Sequence, residues 1–326
     1  MNRNASDVKE SAASSIDIRT GANSSTPGIP DPSTDFRLDS SDAGIGLQDL
    51  VTIGHRLHAL FALRYDYSQL DFDLNPYPFT GKLDLENTSF RTGLIYEVNS
   101  SLSLFANYGT AYRPVFRTNN LGQSLFETQQ SLQEEVGFKI VSPENRVTLN
   151  AALYHLTNQD VLITDSFGVP TRSDQVSYGF EMDLSARLSA ATTLLFNYAY
   201  TESHYTKGPY EDNELFGTPN HSGGIWLHHT LMDDDAQNLS LNFGLNYHSK
   251  QFASDANLVT LPEAFQLSAG IQYQSGPWTY RLQGFNLLDK TDYVPVENLN
   301  VGSPNAPIYA TPRAPRNFRI SVSYEF

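Results

Sequence analysis

The feature that most limits what this chain can become is a two-residue alternation of apolar and polar side chains. It returns again and again from Gly44 to the last residue. Leu57, Ala59, Phe61, Leu63, Tyr65 and Tyr67 form one apolar set, against Arg56, His58, Arg64, Asp66 and Ser68 on the other. Tyr178, Phe180, Met182, Leu184 and Ala186 repeat the pattern, as do Leu239, Leu241, Phe243, Leu245 and Tyr247, and then Phe265, Leu267, Ala269, Ile271 and Tyr273. Successive side chains of a strand point to opposite faces, so this period specifies strands with one apolar and one wet face. No run of about 18 apolar residues is present, so no transmembrane helix is encoded. A mean hydropathy of -0.37 does not argue against a membrane barrel, because alternating strands average out to mildly polar.

Two wet-faced architectures compete, a soluble antiparallel sheet and a membrane barrel. Three features select the barrel. The apolar sets end in aromatics, at Tyr65/Tyr67, Tyr108/Tyr112, Tyr198/Tyr200, Tyr247 and Tyr273, where barrels carry girdles at the lipid headgroups. The opposite sets are Gly, Ser, Asn, Gln and charged residues, which suit a watery lumen. Connections alternate between tight turns, near Gly54, Asn99, Ser142–Asn145, Ser189 and Gly276, and long polar stretches near 69–85, 114–131, 205–219, 249–263 and 288–314. Short periplasmic turns and long external loops are the barrel pattern. The reading is all-β: a transmembrane antiparallel β-barrel portion of about 13 strands over residues 43–326. Residues 1–42, rich in Ser, Asn, Asp and Pro, read as polar loop or disorder. Phe61, Phe180, Phe243 and Tyr324 are expected to face outward, and Arg64, Glu181, Asn246 and Ser321 to face the lumen.

The last ten residues alternate without a break: Phe318, Ile320, Val322, Tyr324 and Phe326 form one face. This resembles the terminal strand of bacterial outer-membrane proteins, whose final aromatic is an assembly signal read by the barrel assembly machinery. Further segments resemble TonB-dependent receptors, in the family's order. Gly46-Leu47-Gln48-Asp49 with Arg64-Tyr65-Asp66 is similar to a strand pair ending in G-x-R-Y-D, with Ala62 where the glycine falls. Ala106-Asn107-Tyr108 through Arg113-Pro114 is similar to the NYS-x-x-FRP strand exit. Glu134-Glu135-Val136-Gly137-Phe138-Lys139 resembles YE-x-G-x-K, and Gly179-Phe180-Glu181 resembles G-x-E. Asn286-Leu287-Leu288-Asp289-Lys290 with Tyr293 resembles NLFD-x-x-Y.

The resemblance implies a ferric-siderophore receptor of the Gram-negative outer membrane. It implies that this chain supplies about 13 strands of a 22-stranded barrel. The family's plug and TonB box find no counterpart here, so TonB is expected to act only through a missing N-terminal region. Residues Met1–Ser25 also contain no apolar stretch that could serve as a signal peptide, so the natural start is expected upstream. The ligand is expected at the external mouth, on cations and rings that suit an anionic, partly aromatic chelate. By strand phase Arg64 and Arg113 face inward near the outer ends, and Arg117, Tyr205 and Tyr210 fall in long loops. The same arginines could instead pair with lipopolysaccharide phosphates or loop carboxylates, and the tyrosines could belong to the girdle. A passive channel of about 12–14 strands for small or hydrophobic solutes is the alternative function.

Other chemistry finds little support. A formal charge of -15 argues against nucleic acid as a partner. His228 and His229 are adjacent on a strand, point to opposite faces and cannot share one ion; no metal site and no resident cofactor are expected. Asp233-Asp234-Asp235 reads as a solvated turn. No serine lies in a G-x-S-x-G setting, so no enzyme is read.

Overall fold

A computed structural model describes residues 2–8, 15–16, 23–24, 35–75, 79–118, 124–234, 236–296 and 309–326. Fourteen strands form one antiparallel sheet in chain order. They are β1 (Asn2–Val8), β2 (Asp35–Ile53), β3 (Leu57–Asn75), β4 (Phe79–Glu97), β5 (Leu102–Thr118), β6 (Ser124–Val141) and β7 (Val147–Thr164), followed by β8 (Pro170–Arg187), β9 (Thr192–Lys207), β10 (His221–Asp233), β11 (Gln237–His248), β12 (Ala264–Ser275), β13 (Trp278–Phe285) and β14 (Asn317–Tyr324). All thirteen strands read from the alternation are there, and β1 is an addition. The boundary drawn at residue 42 falls inside β2, whose residues Phe36–Asp42 pair with β1. The loop reading is corrected there, for a physical reason. The two-residue period continues there, with Phe36 and Leu38 in register with Leu74 and Phe72, but on the phase opposite to Leu63 and Tyr65, and the Asp and Ser residues among them give the stretch the composition of a loop. β3 also runs on to Asn75 and β5 to Thr118, inside stretches read as loops.

Each periplasmic-type turn is built from local chemistry. Gly54 and Gly276 supply positive φ values of 65° and 53°, which a side chain tolerates poorly. The Asn99 side-chain oxygen accepts from the amides of Ser101 and Leu102. The Asp234 carboxylate accepts from Ala236 and Gln237, so the acidic turn shapes itself by an Asx-type bond.

The two faces of the sheet differ as the alternation requires. On one face Ile45, Leu47, Phe61, Leu63, Leu94, Leu104, Val136, Leu153, Phe243 and Ile320 are exposed, Phe61 at 58% and Ile320 at 77%. An apolar surface of this extent is not stable in water and marks a lipid-facing wall. On the other face three aromatic rings lie over glycines directly opposite in register: Phe105 over Gly137, Tyr154 over Gly179 and Trp226 over Gly244. A glycine leaves the only room in which a large ring can lie flat against the neighbouring strand. Tyr154 completes its pair by bonding Thr201 Oγ1 at 2.8 Å.

Two small cores sit among the external connections. Ile163, Tyr205 and Tyr210 form one, with Val161, Leu215 and Ala256 against it. Ala253, Leu261 and Ala310 form the other, with Val259 and Tyr293. The second is framed by two short hairpins, Gln251–Phe252 with Thr260–Leu261 and Tyr293–Val296 with Tyr309–Pro312.

Candidate functional site: the external mouth

The expected ligand residues fall into two separate zones. On β3, Arg64 folds onto Asp66, two residues along the same face, with Nε–O distances of 3.0 and 2.8 Å and Nη2–Oδ1 at 2.6 Å. The Tyr112 phenol lies beside the same carboxylate. Arg113 on β5 donates to Gln129 Oε1 at 3.2 Å. Arg117, expected in a loop, is in β5 opposite Leu125; its side chain lies outside the described residues.

Tyr205 and Tyr210 make the second zone, and here the expectation is corrected. Tyr205 lies in β9 and not in a loop; it is 2% exposed and donates to Asp255. Tyr210 is in the following loop, buried, with its hydroxyl on the Thr164 carbonyl at 3.2 Å. Their ring centroids are 6.1 Å apart. Both rings are interior to the first loop core and present no face to a ligand. Burial, with the Asp255 and Asp165 charges beside it, pushes the Tyr210 phenol up to about 12. The neutral phenol is thus the form this loop core is built around. Asn213 donates to the Asp255 carbonyl at 2.8 Å, and Asn257 donates to the Glu214 carbonyl at 2.9 Å. Successive loops are therefore stapled together around the two tyrosines.

Two arrangements went unread in the sequence. Arg172 on β8 pairs with Glu127 on β6, reaching past β7. Asp292, 3% exposed, accepts from Arg313 Nε at 2.9 Å and Gln266 Nε2 at 2.9 Å, and its Oδ1 is 2.9 Å from His248 Nε2. That node ties the connection after β13 to the inner faces of β11 and β12. Its signal was partly available, since His248 and Gln266 both belong to inward-phase sets. Arg316 pairs with Asp289 at 3.3 Å, Lys82 with Asp71 at 3.0 Å and Lys207 with Asp174 at 3.6 Å. Among the described residues, Arg64, Arg172, Arg313, Arg316, Lys82 and Lys207 thus each have a carboxylate partner.

A cavity of about 280 Å³ opens on the inner face, where Arg91, Asn107, Gln133 and Glu135 line it. His228 and His229 point to opposite faces, to Asn242 and Thr192. Phe318, Ile320, Val322 and Tyr324 share the exposed apolar face of β14, and Phe326 stacks edge-on to Tyr324 at 5.1 Å.

A sheet apolar and exposed on one side, polar on the other, with tight turns at one edge and stapled loops at the other, is the wall of an outer-membrane β-barrel. The family described as "TonB dependent receptor-like, beta-barrel" matches residues 7–287, and the chain belongs to that family of Gram-negative outer-membrane receptors. It is 25% identical over 228 residues to the ferrichrome outer membrane transporter/phage receptor of Escherichia coli K12, covering 69% of this chain and 29% of that protein. It is 25% identical over 264 residues to the ferrioxamine receptor of Yersinia enterocolitica, covering 79% of this chain and 36% of that one. Among solved structures, the ferric-catecholate import receptor Fiu of E. coli K12 superposes with a TM-score of 0.77 at 15% identity, over 99% of this chain and 50% of that one. The ferric yersiniabactin uptake receptor FyuA of Yersinia pestis gives 0.78 at 13%, over 90% and 47%. The chain therefore spans about a third of these curated relatives and half of these solved barrels.

Proposed function

We propose that the complete receptor binds a ferric siderophore at its external mouth and passes it through the barrel in a TonB-coupled, energy-dependent step without any catalytic chemistry. The observation that carries this reading is the family match across 7–287, joined to relatives named for ferrichrome and ferrioxamine. Force transmission is assigned to parts of the receptor outside this chain. This wall supplies the lumen lining and the loop platform around the mouth.

The geometry also bears on the ligand's charge. Arg64 and Arg172 are already matched by Asp66 and Glu127, and Arg313 by Asp292. A matched arginine gives an anionic ligand little net attraction, because its carboxylate repels what the guanidinium draws in. Among the described residues beside these pairs, this part of the mouth offers a ligand rings and neutral hydrogen-bonding groups, with Arg113, bonded to the neutral Gln129, as the exception. The ligand it suits is a chelate without net negative charge, such as a ferric trihydroxamate, whose three monoanions balance the metal.

Uptake of radio-iron in iron-limited cells expressing the full receptor tests both statements, with a ferric trihydroxamate and a ferric tricatecholate as probes, with and without an uncoupler. Uncoupler-sensitive uptake of the trihydroxamate is expected. Uptake indifferent to the uncoupler would overturn the transport reading. Preference for the tricatecholate would leave transport standing and overturn the charge argument.

A further inference from the structure

Between the two aromatic girdles, the outward phase of the described residues is free of Asp, Glu, Lys and Arg on every strand but one. β3 shows Ala59, Phe61 and Leu63 there, β6 Val136 and Phe138, β9 Leu194 and Phe196, β11 Leu241, Phe243 and Leu245, and β14 Phe318, Ile320 and Val322. β2 places Asp49 between Leu47 and Val51, directly opposite Phe61. Ile53 is in line with Leu57 and with Tyr96 of the inner girdle, and Ile45 is in line with Tyr65 of the outer one. Asp49 stands four residues from each. At about 3.3 Å per residue and a tilt near 40°, about 10 Å of hydrocarbon lies above and below it. An aspartate side chain is too short to reach water across that distance.

Carboxylates that share the outward phase at the outer girdle are held by neighbouring strands. Asp84 accepts from Tyr67 at 2.9 Å, Glu202 accepts from Tyr200 at 3.1 Å, and Glu134 lies 3.3 Å from His155. Asp49 has no hydrogen-bond or ion-pair partner among the described residues. It also sits on an edge. β3 flanks β2 along its whole length, whereas β1 covers only Phe36–Asp42. Below Asp42, among the described residues, the other side of β2 carries no strand. A closed barrel has no such edge, and this chain covers only about half of each solved barrel on which it superposes. β1 runs antiparallel to β2 with Asn2 opposite Asp42, so its line carried seven residues before Asn2 comes opposite Asp49, seven residues below Asp42.

Three partners can be compared on physical grounds. Acyl chains offer a mid-depth carboxylate nothing to bond. A second copy of this wall brings another apolar face, with a second Asp49 as the only charge at this depth among the described residues. A cation on the strand that closes the β2 edge meets Asp49 directly. Residues opposite one another on one face of an antiparallel pair hold their Cβ atoms about 5 Å apart, and the next on that face stay within reach of a long side chain. Each charge then makes the other tolerable in hydrocarbon.

We propose that Asp49 forms a mid-membrane ion pair with a Lys or Arg on the strand that closes the barrel against β2, and that this pair fixes the register of the closure. A slip of one residue would turn the cation to the lumen, and a slip of two would carry it about 7 Å away. The proposal rests on the closed barrel and not on what the receptor carries. The test uses the full receptor folded into phosphatidylcholine vesicles, with urea unfolding read by gel mobility. Asp49→Leu and Asp49→Asn should each lower the folded-to-unfolded ratio about tenfold or more, because each leaves the cation alone in lipid. Exchanging the charges, Asp49→Lys with Asp at the partner position, should restore most of that loss at any protein-to-lipid ratio. A ratio raised by Asp49→Leu would overturn the proposal, since it would reveal a carboxyl that faces lipid alone. So would a loss confined to high protein density, the mark of a second copy. A full receptor with neither Lys nor Arg at the seventh place before Asn2, or two places to either side, would overturn it as well. Should Asp49→Leu not fold, a disulfide between Asp49→Cys and a cysteine at that seventh place reads the register directly; its absence from the folded receptor would refute the pairing.

Discussion

The aromatic–glycine pairs of the inner face predict opposite outcomes for one substitution at two places. A β-carbon added at Gly244 would overlap the Trp226 ring, whereas one added at Gly46 would meet nothing nearer than the Leu63 carbonyl at 3.6 Å. In a strand interior, Gly→Ala by itself gains about 0.5–1 kcal/mol through reduced chain entropy. Forcing a packed ring aside costs about 1–3 kcal/mol. Gly46→Ala should therefore be neutral or mildly stabilising, and Gly244→Ala should lose about 1–2 kcal/mol, roughly five- to thirty-fold in the folded-to-unfolded ratio. Urea unfolding of the full receptor in detergent, followed by gel mobility, reads the difference. Trp226→Leu in the Gly244→Ala background should recover part of the loss, because the two sites are in contact and non-additive. If Gly244→Ala is as stable as Gly46→Ala, the ring does not depend on the glycine and the reasoning fails.

Three further outcomes follow from the loops and the terminal strand. Asp292→Asn removes the charge that gathers Arg313, Gln266 and His248; it should weaken attachment of the connection after β13 by about 1–3 kcal/mol, seen as faster proteolysis between β13 and β14. The raised pKa of Tyr210 means that its neutral form stabilises the loop core below the ordinary phenol pKa. That contribution should fade as pH rises from about 10 to about 12; Tyr210→Phe should abolish the alkaline loosening in hydrogen exchange of residues 208–217, and an unaltered profile would refute the assignment. Phe326→Ser, in the full gene, should cut outer-membrane abundance several-fold if the terminal face of β14 is the signal for the assembly machinery; unchanged surface levels would contradict it.

Much of the wall was legible because the lipid enforces it. At Leu57–Tyr67 and Leu239–Tyr247 every second side chain must be apolar, so period alone locates strand and face. Where that pressure stops, legibility stops too. In Asp35–Asp39 and Gln69–Asn75 the alternation persists, but Leu70, Phe72 and Leu74 fall on the phase opposite to Leu63 and Tyr65, so the stretch does not read as a continuation of the same apolar face. Tyr205 and Tyr210 read as exposed loop rings because the partners that bury them, Ile163 and Asp255, lie some 40 or more residues away in sequence. Arg64 was placed correctly on the inward phase, yet its partner Asp66 comes from the same strand and changes what the arginine can do.

The defining property of this chain is a two-faced wall between lipid and lumen. The chain contains no cysteine, so single cysteines can be placed without background. Spin labels at Phe61, Phe180, Phe243 and Tyr324 of the full receptor in lipid bilayers should relax with oxygen, which partitions into the membrane. Labels at Arg64, Glu181, Asn246 and Ser321 should relax with a water-soluble nickel complex. Equal exposure of both sets to the nickel complex, or quenching of the first set alone by it, would contradict the wall described here.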